Sequence, residues 1–162
     1  MSEYALGVYA VDGEDTVVEL HGIPWCDPGA PMPALAAADH YLRLGYISLG
    51  RDVAEDSIVV VTFDGPYALF FGPPNDEAFS GHPLADRGLR PYGAYRIEHS
   101  SWIRRLERVN RVHPYHRPER FAELTHYIFA FHDSTFECVA DGVHVETHPA
   151  TEPLVISAQV RP

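Results

Sequence analysis

Asp-Gly dipeptides recur between short runs of β-branched and aromatic residues, and no other feature restricts the fold of this chain as much. Asp12-Gly13, Asp64-Gly65 and Asp141-Gly142 each separate two such runs. Asp-Gly accepts the positive φ angles of tight turns at little cost, so each pair predicts a hairpin. The first hairpin joins residues 4–11 to 16–22 and the second joins 57–63 to 67–71. The apolar runs of the second suggest burial on both faces, near the centre of a sheet. The last third reads as a meander over 126–131, 135–140, 143–147 and 154–159, with a further turn at Asp133-Ser134. Residues 34–47 combine a helix-favouring Ala-Leu-Ala-Ala-Ala with strand-like alternation from Tyr41 to Ile47, and the alternation favours strands.

One helix stands out. Ser100 or Ser101 can cap it, Trp102, Ile103, Leu106, Val109 and Asn110 recur at helical spacing, and Pro114 lies soon beyond its end. The chain is therefore expected to be α+β and mainly β: a single domain over 1–162 with a curved antiparallel sheet, barrel-like or sandwich-like, and one amphipathic helix at 101–110. The 162 residues support one well-buried core. Pro24 to Pro33 holds too many prolines for a regular element, and 72–92, rich in Pro and Gly, reads as a long loop of the kind that carries function.

Composition excludes several classes. The formal charge is −11, against general nucleic-acid or anionic-membrane binding. No run approaches the ~18 apolar residues of a membrane span, and Met1 to Leu6 lacks a secretory pattern, so a cytoplasmic protein is expected. Cys26 and Cys138 form no CxxC motif. Every basic residue is arginine, a bias expected of GC-rich bacterial coding. Nine of the 12 arginines fall between Arg87 and Arg120 beside three carboxylates, which makes that segment about +6 and the remainder about −17. The two parts should attract each other; the sharper alternative is an anion-binding face. P-loop, GxGxxG and GxSxG motifs are absent, against nucleotide hydrolysis, Rossmann redox chemistry and α/β-hydrolase chemistry.

The candidate chemistry lies in the meander. A two-residue turn at Asp133 and Ser134 would pair Ala130 with Glu137 and His132 with Thr135, and strand alternation then sorts the side chains. Tyr127, Phe129, Phe131, Phe136 and Cys138 make one face, while His126, Ile128, Ala130, His132, Thr135, Glu137 and Val139 make the other. Glu137 as general acid or base and His132 as its proton partner are the first catalytic candidates, since partial desolvation moves both toward neutral pKa. Asp133 is a lesser one, because aspartate in a turn usually serves the turn. Ligand-binding candidates are Asn75, Asp76, Glu77 and His82 in the long loop, with Arg104, Arg108, His113 and His116 for an anionic group. His144 and Glu146, in an H-x-E-x-H string ending at His148, are candidates for a divalent metal. Three alternate strand positions span about 13 Å, so one ion reaches two of them at most.

These residues predict a small-molecule-binding protein, with His/Glu acid–base chemistry in a strand-lined pocket capped by 72–92 if it is an enzyme. The ligand would be a small organic or anionic molecule. The alternatives are a protein-interaction module, inhibitor or immunity-like, with an acidic surface, and a metal-dependent enzyme using His144 and Glu146.

Overall fold

The structure is a computed structural model that describes residues 11–30, 32–48 and 57–150. Two antiparallel sheets form a sandwich, not a closed barrel. The larger contains β1 (Thr16–Glu19), β6 (Ala94–Glu98), β7 (Thr125–Ala130), β8 (Thr135–Ala140) and β5 (Ala68–Gly72), in the order β1-β6-β7-β8-β5. The smaller runs β2 (Ala34–Ala38), β3 (Tyr41–Ser48), β4 (Ser57–Asp64) and β9 (Gly142–Pro149). Helix α1 occupies Ser101–Asn110, as its periodicity predicts, and a short α2 follows at Pro118–Ala122, where Pro118 begins a turn of helix that the sequence reading lacked. Among the described residues no helix is long and apolar enough to cross a membrane. The strands expected at 4–11 and 154–159 lie largely outside the described residues.

Two expected hairpins are corners between the sheets. Asp64-Gly65 carries the chain from β4 in the small sheet to β5 in the large one, and Asp141-Gly142 returns it from β8 to β9. Because β4 pairs with β9, with Asp64 opposite Gly142, both crossings meet at one place, where the Asp141 amide donates to the Asp64 carbonyl at 2.8 Å. Gly65 has φ +51°, and a Cβ there would come within 1.9 Å of Asp141 Oδ2. The dipeptide marks a sharp reversal; the partner available to the next strand decides whether that reversal closes a hairpin or a corner.

The core has two layers. Between the sheets, Phe63 meets Tyr127, Phe129 and Phe136 with ring centroids 5.2–5.8 Å apart, beside Leu42, Leu44 and Val61. On the opposite face of the large sheet Ile97, Ile128 and Val139 pack under Trp102, Phe121 and Leu124, and under Phe79, Leu84 and Leu89 from the long loop. That loop folds into 3-10 turns at Phe79–Gly81 and Ala85–Arg87 and buries side chains directly on the sheet. The face bearing Glu137 is thus a second core layer and not an open wall. The apolar stripe of α1 fades along its length: Trp102 is buried, but Val109 is 67% exposed, contrary to its expected core role.

Candidate functional site

Strand pairing assembles the site and corrects its membership. The β7–β8 register is Ala130↔Thr135, Phe129↔Phe136 and Ile128↔Glu137, with Phe131 to Ser134 forming the connection. Phe131 N donates to Ser134 O at 2.8 Å, which leaves His132 and Asp133 as the turn, one position earlier than expected. The shift from the expected register is two residues, so the sorting onto faces survives: in a strand only an odd shift exchanges faces. What changes is the diagonal neighbour. Glu137 now sits diagonally from His126 instead of His132, and His126 Nε2 lies 2.9 Å from Glu137 Oε2.

Glu137 is held from a second side by the long loop. His82 Nε2 lies 3.1 Å from Oε1, and both histidines are buried. The rings are fixed by packing: His82 stacks on Phe79 with centroids 5.6 Å apart, and Trp102 meets His126 edge-on at 5.0 Å. Burial opposes the charge of Glu137, but the bonds from His126 and His82 outweigh it and hold the carboxyl down to about 2. Glu137 is therefore a fixed carboxylate that orients its neighbours, not a group poised to exchange protons near neutrality.

Backbone contacts assign the protons. The Leu84 amide donates to His82 Nδ1 at 3.1 Å, so that nitrogen carries no hydrogen and Nε2–H points at Glu137. The ionised carboxylate only accepts, so His126 also presents Nε2–H to it. A neutral His126 then directs the bare Nδ1 lone pair at Ser100 Oγ, 2.9 Å away. The order is Ser100, His126, Glu137, His82: hydroxyl, imidazole, carboxylate, imidazole. Ser100 caps α1, its Oγ accepting the Ile103 amide at 3.3 Å. It follows His99, whose φ of +53° bends the chain from β6 into the helix. Asp15 braces the corner by accepting the Ser101 amide at 2.7 Å and the Ser101 hydroxyl at 3.0 Å.

Ser100 is also part of the wall of a cavity of about 510 Å³ between α1, α2 and strands β6 and β7, along with Ile97, Ile103, Phe121, Leu124 and Thr125. Glu137 and His82 stand out in the sequence, but in separate roles; Ser100 stands out only as a cap, and His126 only by the face it shares with Glu137. The missing information was the position of the turn, which falls on His132 and Asp133. Around Phe79, Leu84 and Leu89 the 72–92 loop fills the space over the sheet with its own side chains, while its first residues, with Asn75, border a separate cavity beside Asp133.

The other candidates divide among separate places. His132 Nδ1 lies 2.9 Å from Asp76 Oδ2, and the same oxygen accepts the Tyr92 hydroxyl. Hydrogen bonding to Asp76 raises the pKa of the exposed His132, while Tyr92 and His132 draw that of Asp76 down. Asn75 Oδ1 accepts the Ala78 amide at 3.1 Å, a turn role, and Glu77 is exposed. Asp133 and Ser134 border a second cavity of about 520 Å³, next to Phe71 and Pro74.

The arginines largely answer the protein's own acids. Arg104 pairs with Asp12 and approaches Glu14 at 3.4 Å, and Arg120 binds Asp141 through both carboxylate oxygens. Arg108 and His113 are exposed, and His116 turns to Glu107 and Asn110 at 2.9 Å each, so these four do not converge on one anion site. His144 pairs with Asp64 at 2.7 Å on the exposed face of β9, where Glu146 is also exposed. No three His, Cys, Asp or Glu side chains converge as metal ligands among the described residues. Both cysteines are free, and burial pushes the Cys138 thiol up to about 12.

No protein-family model, curated protein or solved structure matches this chain.

Proposed function

We propose that the protein binds a small, mainly apolar organic molecule in the cavity between α1 and α2 and carries out acid–base chemistry on it through Ser100 and His126. One observation carries the reading: Ser100 lines the cavity, and its hydroxyl is 2.9 Å from an imidazole backed by a buried carboxylate. A proton leaving the hydroxyl passes to His126 Nδ1, and Glu137 stabilises the imidazolium that results. Of the pair expected from sequence, Glu137 stays in a positioning role instead of as acid or base, and His126 takes the place of His132.

The test is binding of a neutral probe that does not react. Titration with 2-heptanone, followed by NMR, is expected to shift the methyl signals of Ile103 and Leu124 saturably. Ala122→Trp, which fills the cavity from α2, is expected to suppress those shifts. Spectra that stay unchanged up to the solubility limit of the probe overturn the reading.

A protein-interaction role has its own support at the far end of α1. Val112 is 91% exposed, Tyr115 83% and Val109 67%, close to exposed Arg108, Arg111 and Arg117. Apolar groups held out to solvent among arginines suit contact with an acidic protein surface.

A further inference from the structure

We propose that Ser100 is a covalent nucleophile toward small, uncharged carboxylic esters, so that the reaction in the α1–α2 cavity is acyl transfer to water. This rests on the binding reading above and adds the reaction and the substrate class.

Four features of the site lead to it. The nucleophile, base and orienting carboxylate stand in the order that activated serines require, with both contacts at 2.9 Å. The proton arrangement is the productive one: the Leu84 amide keeps His82 in its Nε2–H form, both carboxylate oxygens of Glu137 are thereby occupied by N–H donors, and His126 faces Ser100 with a lone pair. The Ile103 amide at 3.3 Å, in the first turn of a ten-residue helix, stabilises negative charge on Oγ as the proton departs. His99, with φ +53°, sets Ser100 at a sharp passage from strand to helix beside the cavity.

The cavity wall defines the substrate. Ile97, Ile103, Phe121 and Leu124 supply apolar surface, and about 510 Å³ suits a small molecule. Its arginines are engaged by the protein's own acids, Arg96 with Glu98 at 2.9 Å and Arg104 with Asp12, Glu14 and Asp15. An anionic ligand would have to displace those partners, whereas a neutral ester keeps them.

The steps balance without further reagents beyond water. Ser100 Oγ bonds to the ester carbonyl carbon as its proton moves to His126 Nδ1; the carbonyl to alkoxy C–O bond then breaks, and His126 returns the proton to the departing alkoxide. Water bonds to the acyl carbon as its proton moves to His126 Nδ1; the acyl carbon–Oγ bond then breaks, His126 returns the proton to Oγ, and a carboxylic acid leaves.

The experiment exposes the full chain to an alkyl fluorophosphonate and locates the adduct by intact mass and peptide mapping. One adduct per chain on Ser100 is expected, with hydrolysis of 4-nitrophenyl butyrate lost in parallel as labelling proceeds. Ser80→Ala, at an exposed serine outside the cavity wall, is expected to label normally, and Ser100→Ala not at all. Because Ser100→Ala also removes a helix cap, Ala122→Trp gives a second test: it blocks the cavity without touching Ser100 and is expected to slow labelling about tenfold or more. No adduct, or an adduct on any other residue alone, overturns the proposal. If 2-heptanone still shifts the cavity methyls in that case, the nucleophile falls and the binding reading stands; if it does not, both fall.

Discussion

His82 and Glu137, 55 positions apart in the chain, meet at 3.1 Å in the interior, and the Leu84 amide on the far side of the His82 ring leaves that contact one possible polarity. His82 must donate, so Glu137 must accept on Oε1. This makes Glu137→Gln informative. If the glutamine oxygen accepts from His82, its NH2 group faces His126 and demands an acceptor there. His126 then moves its proton from Nε2 to Nδ1, and Nδ1–H donates to Ser100 instead of receiving from it. The variant is expected to fold, to show the exchanged His126 tautomer in ring 15N shifts, and to lose labelling at Ser100 by about 10²–10⁴-fold. An unchanged tautomer, or undiminished labelling, contradicts this account of the proton order.

Acid sensitivity follows from the same carboxylate. Its folded value, about 2, lies below the ordinary 4.5, so the unfolded chain binds the proton more readily. The stabilisation is complete above about pH 4.5 and is lost as pH falls toward 2, an effect of about 3 kcal/mol. Urea unfolding of the native protein and Glu137→Gln, compared from pH 5 down to pH 2.5, is expected to show a stability gap that narrows as pH falls. A gap of constant width is the contrary result.

Much of this arrangement could be read from the sequence, because strand periodicity survives errors of even register. Residues 127, 129, 136 and 138 separate correctly from 126, 128, 137 and 139 although the turn is one position from where it is expected and the pairing therefore shifts by two, and α1 is set by its cap and spacing. Partners across long distances were not legible. Nothing local distinguishes the Asp64-Gly65 corner from a hairpin, since only the pairing of β4 with β9 removes β5 to the other sheet. His82 could be named as a loop ligand, but its contact with Glu137 depends on how Phe79, Leu84 and Leu89 pack the loop down.

The corner itself predicts an effect at Gly65. Alanine there must hold φ near +51° and displace the Asp141 carboxylate, which Arg120 otherwise holds through two bonds. Gly65→Ala is expected to destabilise by about 1–2 kcal/mol from the left-handed backbone, with a further loss from the disturbed ion pair. Adding Asp141→Ala is expected to recover part of the loss, a coupling that a double-mutant cycle measures directly. Strict additivity of the two changes argues against the contact.

Asp76 controls His132 in the second polar cluster. The raised pKa of His132 comes first from its hydrogen bond to Asp76 and then from that residue's charge. Asp76→Asn is expected to bring the His132 titration, followed through its Cε1–H signal, back toward the free imidazole value. In the native protein the pair's stabilisation is complete below the unfolded histidine pKa of ~6.5 and is lost as pH rises through the folded one. With His132 exposed, the change in stability is small, and an unshifted titration in the variant is the result that counts against the pairing.

The apolar knob after α1 separates an interface from a merely exposed loop. Arg111 grips Glu107 at 2.8–3.1 Å, and His116 binds Glu107 and Asn110 at 2.9 Å, so Val112 and Tyr115 project from a segment that is tied down. Side chains this exposed contribute little to the native fold, so Val112→Asp with Tyr115→Ser is expected to change stability by no more than about 0.5 kcal/mol. The expected effect is on association. An acidic peptide with leucine and phenylalanine placed between glutamates is expected to bind the native chain in low salt, to weaken as salt is added, and to fail against the double variant. A peptide of the same charge with alanine in the apolar places is expected to bind more weakly. Equal binding of both peptides, or binding that survives the double substitution, removes Val112 and Tyr115 as an interface.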